Sequence, residues 1–418
     1  MHSRRHLTLA LCTVLHACTH AFQIALVPLY LLMCEDLGLS RVKMATLIVT
    51  VYGGVYCLLS YPAGILADRL NRKAMLGIGL IGNAVAIGLM GVADQYWMLV
   101  ALAILAGMFG TIFHPAANAL ASAHYPKNPG SALGLMGIGT GVGFFFGAQY
   151  SGWRAQNPGD WWPAAGWQVP CIEMGLAGIL IGVLFLLLAA EVPHEKQARR
   201  AGVPLGPGMR RKAVAIALVL GLRDFAGMAT ISLLSIYLQK AQSFSVKQTG
   251  WLIGLMGLVS VVVTPVGVHA TSGRWRLPGL AAVMILGGLT LMLIPHTPMK
   301  WLVVVLAVFQ VFHLGSYAIS EVSVVERVAP MMRGRVIGVY ITIAGTLGSA
   351  APWVIGYATD RMGERAGQAP NYVALFTALG ALMMVASLGV RLVPALLQGP
   401  VGRVKPSAVR TQGRPHAA

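Results

Sequence analysis

Acidic residues are scarce in this chain. It has 13 Asp and Glu against 31 Lys and Arg, and charged residues make up only 11% of its 418 positions. A soluble domain carries about 25%, so the composition excludes an ordinary water-solvated globule. The five cysteines (Cys12, Cys18, Cys34, Cys57 and Cys171) lack metal-ligand spacing, which excludes a zinc-finger or disulfide scaffold. No Walker-type phosphate loop is present, so ATP is not expected as the direct energy source. No nucleophile constellation or paired set of metal ligands stands out. The chain is therefore read as a non-enzyme without metal or organic cofactor.

What is abundant is apolar sequence. Hydrophobic residues make up 56% of the chain, and there are 50 glycines. Apolar runs of about 20 residues recur from end to end, the length that crosses a bilayer. They predict spans at 8–33, 43–66, 73–93, 96–122, 130–152, 167–190, 213–238, 246–270, 277–295, 299–327, 333–358 and 369–394. Glycine fits this reading, because membrane helices pack closely through small residues. The fold class expected is an all-α membrane protein of about 12 transmembrane helices. The N-terminal run, which includes Leu15-His16-Ala17-Cys18, extends to Leu32 and is too long for a signal-peptide core. It is read as an uncleaved first helix.

Lys and Arg outside the spans or close to their ends divide 22 to 8 in favour of the side that holds both termini. By the positive-inside rule that side is cytoplasmic. The net charge of +18 therefore reads as topology, not as a nucleic-acid surface. The localisation expected is the inner (plasma) membrane, multi-pass. Residues 191–212, rich in Lys, Arg, Gly and Pro, read as a cytoplasmic linker. It separates six-helix bundles at 1–190 and 213–394, and 395–418 is a basic cytoplasmic tail. At a fixed offset of 204, Gly53 meets Gly257, Trp97 meets Trp301, Pro126 meets Pro330, Gly134 meets Gly338, Gly141 meets Gly345 and Gly152 meets Gly356. This points to a duplicated unit with a central substrate site. Trp153, Trp161, Trp162 and Trp167 around one outer loop read as an interfacial belt.

Between spans two and three the chain reads Gly64-Ile65-Leu66-Ala67-Asp68-Arg69-Leu70-Asn71-Arg72-Lys73. This resembles the signature loop of the major facilitator superfamily, and the likeness extends over almost the whole chain. The resemblance implies two pseudo-symmetric six-helix bundles, alternating access, and a gate built on Gly64, Asp68, Arg69, Arg72 and Lys73. In that gate Asp68 would cap span eleven near Arg333, Gly334 and Arg335, and Gly64 would let two helices approach. The second-half loop at 267–276 has Ser272 in place of the acid. A third copy, Gly356 to Gly363 with Asp360, follows span eleven on the outer side and reads as a likeness only. His20, Pro28, the His114-Pro115 pair and the glycine-rich span five from Gly134 resemble the fosmidomycin-resistance branch of drug:proton antiporters. That finer resemblance implies export.

Ionisable groups inside spans are expensive and mark function. They are His16, His20, His114, Arg223, Asp224, His313 and Glu321, all in spans one, four, seven and ten. In a fold of this family those spans line the cavity. His16 and His20 share one helix face. The offset of 204 sets His20 opposite Asp224. Asp224 and Glu321 are the leading proton acceptors, His20 and His114 participate, and Arg223, taken to lie on a different face from Asp224, binds an anionic group or a neighbouring acid. The alternative for the carboxylates is a structural hydrogen bond, and for His114 a freed backbone carbonyl. The function expected is proton-coupled export of a small molecule by a monomer contacting membrane lipids. Uptake of an anionic metabolite and lipid flipping are the alternatives.

Overall fold

A computed structural model describes residues 2–159, 165–192, 205–271, 273–328 and 332–398. The described residues form helices and connecting turns, with no strand among them. The α-helices are α1 (His2–Ile24), α2 (Tyr30–Asp36), α3 (Val42–Leu58), α4 (Ser60–Ala67), α5 (Arg72–Met90), α6 (Tyr96–Gly110), α7 (Phe113–His124) and α8 (Pro129–Gln156). They continue with α9 (Gln168–Leu188), α10 (Pro207–Ala241), α11 (Val246–Ala270), α12 (Arg276–Leu293), α13 (Met299–Arg327), α14 (Arg333–Ser349), α15 (Ala351–Met362) and α16 (Val373–Ala386).

Among the described residues, ten helical stretches are long and apolar enough to cross a membrane, and α3 with α4, bent by 43°, makes an eleventh. The 25-residue α11 stands beside them, in keeping with about twelve helices. The protein is an all-α, multi-pass membrane protein. The linker expected at 191–212 lies mostly outside the described residues, and α10 begins at Pro207, inside that stretch. Ser272 and Pro330 also fall outside them.

Four passages are broken, and proline accounts for each break. Pro28 lies in the 3-10 turn Val27–Leu29 between α1 and α2. Pro62, Pro115 and Pro352 lie in the first turns of α4, α7 and α15. A first-turn residue needs no N–H partner within its helix, so proline is tolerated there while it blocks continuation from the preceding helix.

The glycine-rich α8 lies between α1 and α11 and packs along both. A Cβ on Gly139 would sit 2.5 Å from the Thr13 carbonyl oxygen and 2.8 Å from the His16 Cβ. That closeness brings the backbone of α8 against the histidine face of α1.

Candidate functional site

A cavity of about 390 Å³ lies between the two sets of helices. Its walls are mostly apolar, with Val49, Phe144, Met228 and Ile341 among them, and its polar groups converge from both sides. His20, Gln23 and Tyr56 face it from the first half, and Asp224, Ser320 and Glu321 from the second. A preformed apolar cavity with a few convergent polar groups has the form of a small-molecule site. A larger, open groove of about 800 Å³, lined by Gln156, Lys247 and Trp251, lies away from these ionisable side chains.

Arg223 is wholly buried, and all five of its N–H donors are used. Nε and Nη2 donate to Asp224 Oδ1 at 2.9 and 2.7 Å. Nη1 donates at 2.9 Å to both the Ser316 carbonyl and Ser320 Oγ, and Nη2 also donates to the Tyr340 hydroxyl. The guanidinium lies 3.9 Å over the Tyr317 ring. The expectation that Arg223 and Asp224 lie on different faces is thus corrected. Adjacent Cβ atoms diverge on a helix, but the long arginine stem curls back to its neighbour. Arg223 is committed to this network and does not stand free to hold an anion.

Asp224 lines the cavity through this pair. Glu321 lines it from α13, exposed to it, with no hydrogen bond or ion pair to the described residues. His20 faces the same space without a hydrogen bond to Asp224. His313 lies outside the cavity wall, buried, stacked on Phe309 and edge-on to Tyr317. At the end of α13, Glu326 pairs with Arg276 at 2.8 Å.

The three histidines of the first half converge. His16 and His20 are one turn apart on α1, with Nε2 atoms 3.1 Å apart. His114 stands in the first turn of α7, placed there by the restart at Pro115, and its ring centroid is 5.0 Å from that of His16. The i, i+4 spacing made the first two legible in sequence. The third comes from another helix, and only the fold shows the meeting.

Two ends of the cavity differ. At the face opposite the termini, hydrogen bonds join the halves. Ser235 Oγ donates to the Val27 carbonyl at 2.7 Å, and Gln239 Nε2 to the Pro28 carbonyl at 3.0 Å. Tyr30 and Ser232 hydroxyls lie 3.3 Å apart. Asp360, in the copy read as a likeness only, accepts the backbone N–H groups of Val42 and Lys43 at 2.8 and 3.0 Å. Its contact therefore crosses between the halves.

At the terminal face, α4 packs against α14. Tyr61 would lie 3.6 Å from a Cβ on Gly338. From there α4 runs seven residues to Asp68 and α14 five back to Arg333, about 10 and 8 Å at 1.5 Å per residue. Asp68, exposed, thus reaches the depth of the first turn of α14. Arg69 is exposed, and Arg72 is half-buried, with Nη1 3.5 Å from the Ala119 carbonyl. Lys73 donates its backbone N–H to Glu191 at 2.8 Å. Gly64 is not the close contact expected: a Cβ there would meet Pro115 at an ordinary 4.0 Å.

Other sequence expectations resolve individually. Trp167 is buried and donates Nε1–H to Asp36 at 2.9 Å, so it is a core residue and not part of an interfacial belt. Trp153 is 40% exposed, and Trp161 and Trp162 lie outside the described residues.

The family model described as Major Facilitator Superfamily matches residues 9–352. The chain belongs to the major facilitator superfamily. Its members are transporters, so it is a secondary transporter of a small molecule and not an enzyme. It is 23% identical over 416 residues to the "Probable galactarate/D-glucarate transporter GudP" of Bacillus subtilis, covering 88% of this chain and 86% of that protein. It is 36% identical over 137 residues to the "Multidrug resistance protein MdtG" of Yersinia enterocolitica, 32% of each chain. Among solved structures, a bacterial homologue of the human lysosomal transporter Spinster, inward-facing and unoccupied, superposes with a TM-score of 0.74. That match covers 94% of this chain and 96% of that one at 16% identity, and shows the superfamily fold.

Proposed function

We propose that this superfamily transporter exports a small, largely apolar molecule from the cytoplasm in exchange for protons. The observation that carries this reading is Glu321: a carboxylate without a partner among the described residues, facing a mostly apolar cavity shared with Asp224. An ionisable group at membrane depth is costly and is kept for function. A carboxylate there takes up a proton when the cavity opens to the acidic side and yields it when cargo enters. Arg223 holds Asp224 in position, while His20 and, behind it, His114 supply the polar wall opposite. The terminal face is cytoplasmic, and the protein works as a monomer in the inner membrane. Residues 1–190 and 213–394 rock as bodies about the cavity, and Asp68 caps α14 to close the terminal face. The partial similarity to a multidrug resistance protein and the likeness to the fosmidomycin-resistance branch favour export.

Uptake of an anionic metabolite is the second reading, favoured by similarity to a transporter named for galactarate and D-glucarate. Against it stands Arg223, whose donors are all engaged. The test is transport in inside-out vesicles with a candidate found by thermal-shift screening. Accumulation driven by an acidic interior and lost in Glu321→Gln supports export. Accumulation of sugar diacids in right-side-out vesicles, unaffected by Glu321→Gln, supports the second reading.

A further inference from the structure

We propose that His16, His20 and His114 form a binding site for one divalent transition-metal ion, open to the central cavity. The argument begins with hydrogen bonding. His16 Nδ1 lies 2.8 Å from the Met136 carbonyl oxygen. A carbonyl only accepts, so His16 carries its proton on Nδ1 and presents a lone pair at Nε2. His20 Nδ1 lies 2.8 Å from Gln23 Oε1, which likewise draws the proton to Nδ1. The two Nε2 atoms then face each other at 3.1 Å, and the Thr140 hydroxyl, also 3.1 Å from His16 Nε2, donates to that lone pair. A metal ion seated between the rings takes both lone pairs in place of that hydroxyl.

Metal-binding histidines have this arrangement. One ring nitrogen donates to a carbonyl or amide oxygen, and this fixes the tautomer that turns the other nitrogen to the ion. A tetrahedral ion bound at 2.0–2.1 Å needs nitrogens about 3.3 Å apart. His16 and His20 already satisfy that spacing. With His114 the three ligand atoms lie within 4.8 Å of one another. His114 makes ring contacts but no hydrogen bond to the described residues, so it is the ring that turns inward to complete the set. Imidazole donors favour Zn²⁺, Co²⁺, Ni²⁺ and Cu²⁺ over Mg²⁺ and Ca²⁺.

Three neutral ligands leave the ion's charge uncompensated, but Glu321 lines the same cavity, while Asp224 there is already paired with Arg223. His20 is part of the wall, so a fourth coordination position opens to the cargo space. The ligand class is a transition-metal ion, either alone or held by a small chelator that occupies that position. The site rests on the histidine geometry and not on the transport reading, which the Glu321→Gln vesicle assay tests separately, so failure here leaves that reading intact.

The test is Co²⁺ titration of tag-free, full-length protein in detergent, followed by visible absorption, with Zn²⁺ as competitor. The result expected is the spectrum of tetrahedral Co²⁺ at one equivalent per chain, abolished by Zn²⁺. Loss of an outer-shell partner costs about 10–100-fold in affinity. Gln23→Leu is therefore expected to weaken binding about tenfold, and His20→Ala or His114→Ala by about 100-fold or more. His313→Ala, outside the cluster, keeps the site. Zn²⁺-induced thermal stabilisation, measured on the same proteins, reads the site in any variant of lower stability. Counterflow of Zn²⁺ with and without a chelator distinguishes the bare ion from a chelate. If the amide of Gln23 instead donates to His20, the pair is a neutral hydrogen bond and the Co²⁺ spectrum stays that of the aqueous ion. That result overturns the proposal, as does stoichiometric binding that survives replacement of all three histidines.

Discussion

Asp360 accepts the backbone N–H of Lys43 at 3.0 Å, so the end of α15 caps the first turn of α3 in the other half. The offset of 204 maps Lys43 to Lys247 and Asp360 back to Gln156. Gln156 Oε1 in turn accepts the N–H of Lys247 at 3.4 Å. Gly152 packs on Gly250, and Gly356 on its equivalent Thr46, in the same paired way. One contact occurs twice with the halves exchanged, carboxylate in one copy and amide in the other.

An anion at a helix N-terminus satisfies unpaired N–H groups, and removing such a cap costs about 1 kcal/mol, or about fivefold in a population. Asp360→Ala is expected to open the face opposite the termini more often. Cys57 lines the cavity and serves as the reporter in a chain whose other cysteines are replaced. Its labelling by an impermeant maleimide from that face should quicken about fivefold. An unchanged rate would show that the cap does not hold the closed state.

Gly139 and Gly64 should respond differently to the same methyl group. Gly139→Ala drives a Cβ into the backbone of α1, and overpacking of this kind costs about 1–3 kcal/mol. Gly64→Ala meets only Pro115 at 4.0 Å and should leave thermal stability unchanged. Equal melting temperatures for the two variants would contradict the packing described for α1 and α8.

Arg223→Met leaves Asp224 buried without its cation. Breaking a buried pair in this way costs about 3–5 kcal/mol, whereas replacing both partners is far milder. The single variant should unfold at clearly lower temperature, and Arg223→Met with Asp224→Asn should recover most of the loss. A double variant as unstable as the single would show that the pair is not the source of the effect.

Much of the fold was legible in the residues themselves. The apolar runs located the passages, and Pro28, Pro62, Pro115 and Pro352 mark the places where helices restart. The offset that pairs Gly152 with Gly356 pointed to duplication, but the contact that repeats, with Asp360 in one copy, came only with the fold. The site was legible in part. Burial cost pointed to Asp224 and Glu321, but helical-face reasoning describes where a Cβ points and not how far an arginine reaches, so it separated Arg223 from Asp224. The meeting of His114 with His16 depends on how α7 packs against α1, which no local pattern encodes. Trp167 looked interfacial because its partner, Asp36, is distant in sequence.

The most direct measurement of the central claim is proton release when cargo is added to purified protein, followed with a pH indicator in weak buffer. The account predicts about one proton released per chain in the wild type, and none in Glu321→Gln at saturating cargo. Undiminished release from Glu321→Gln would contradict it.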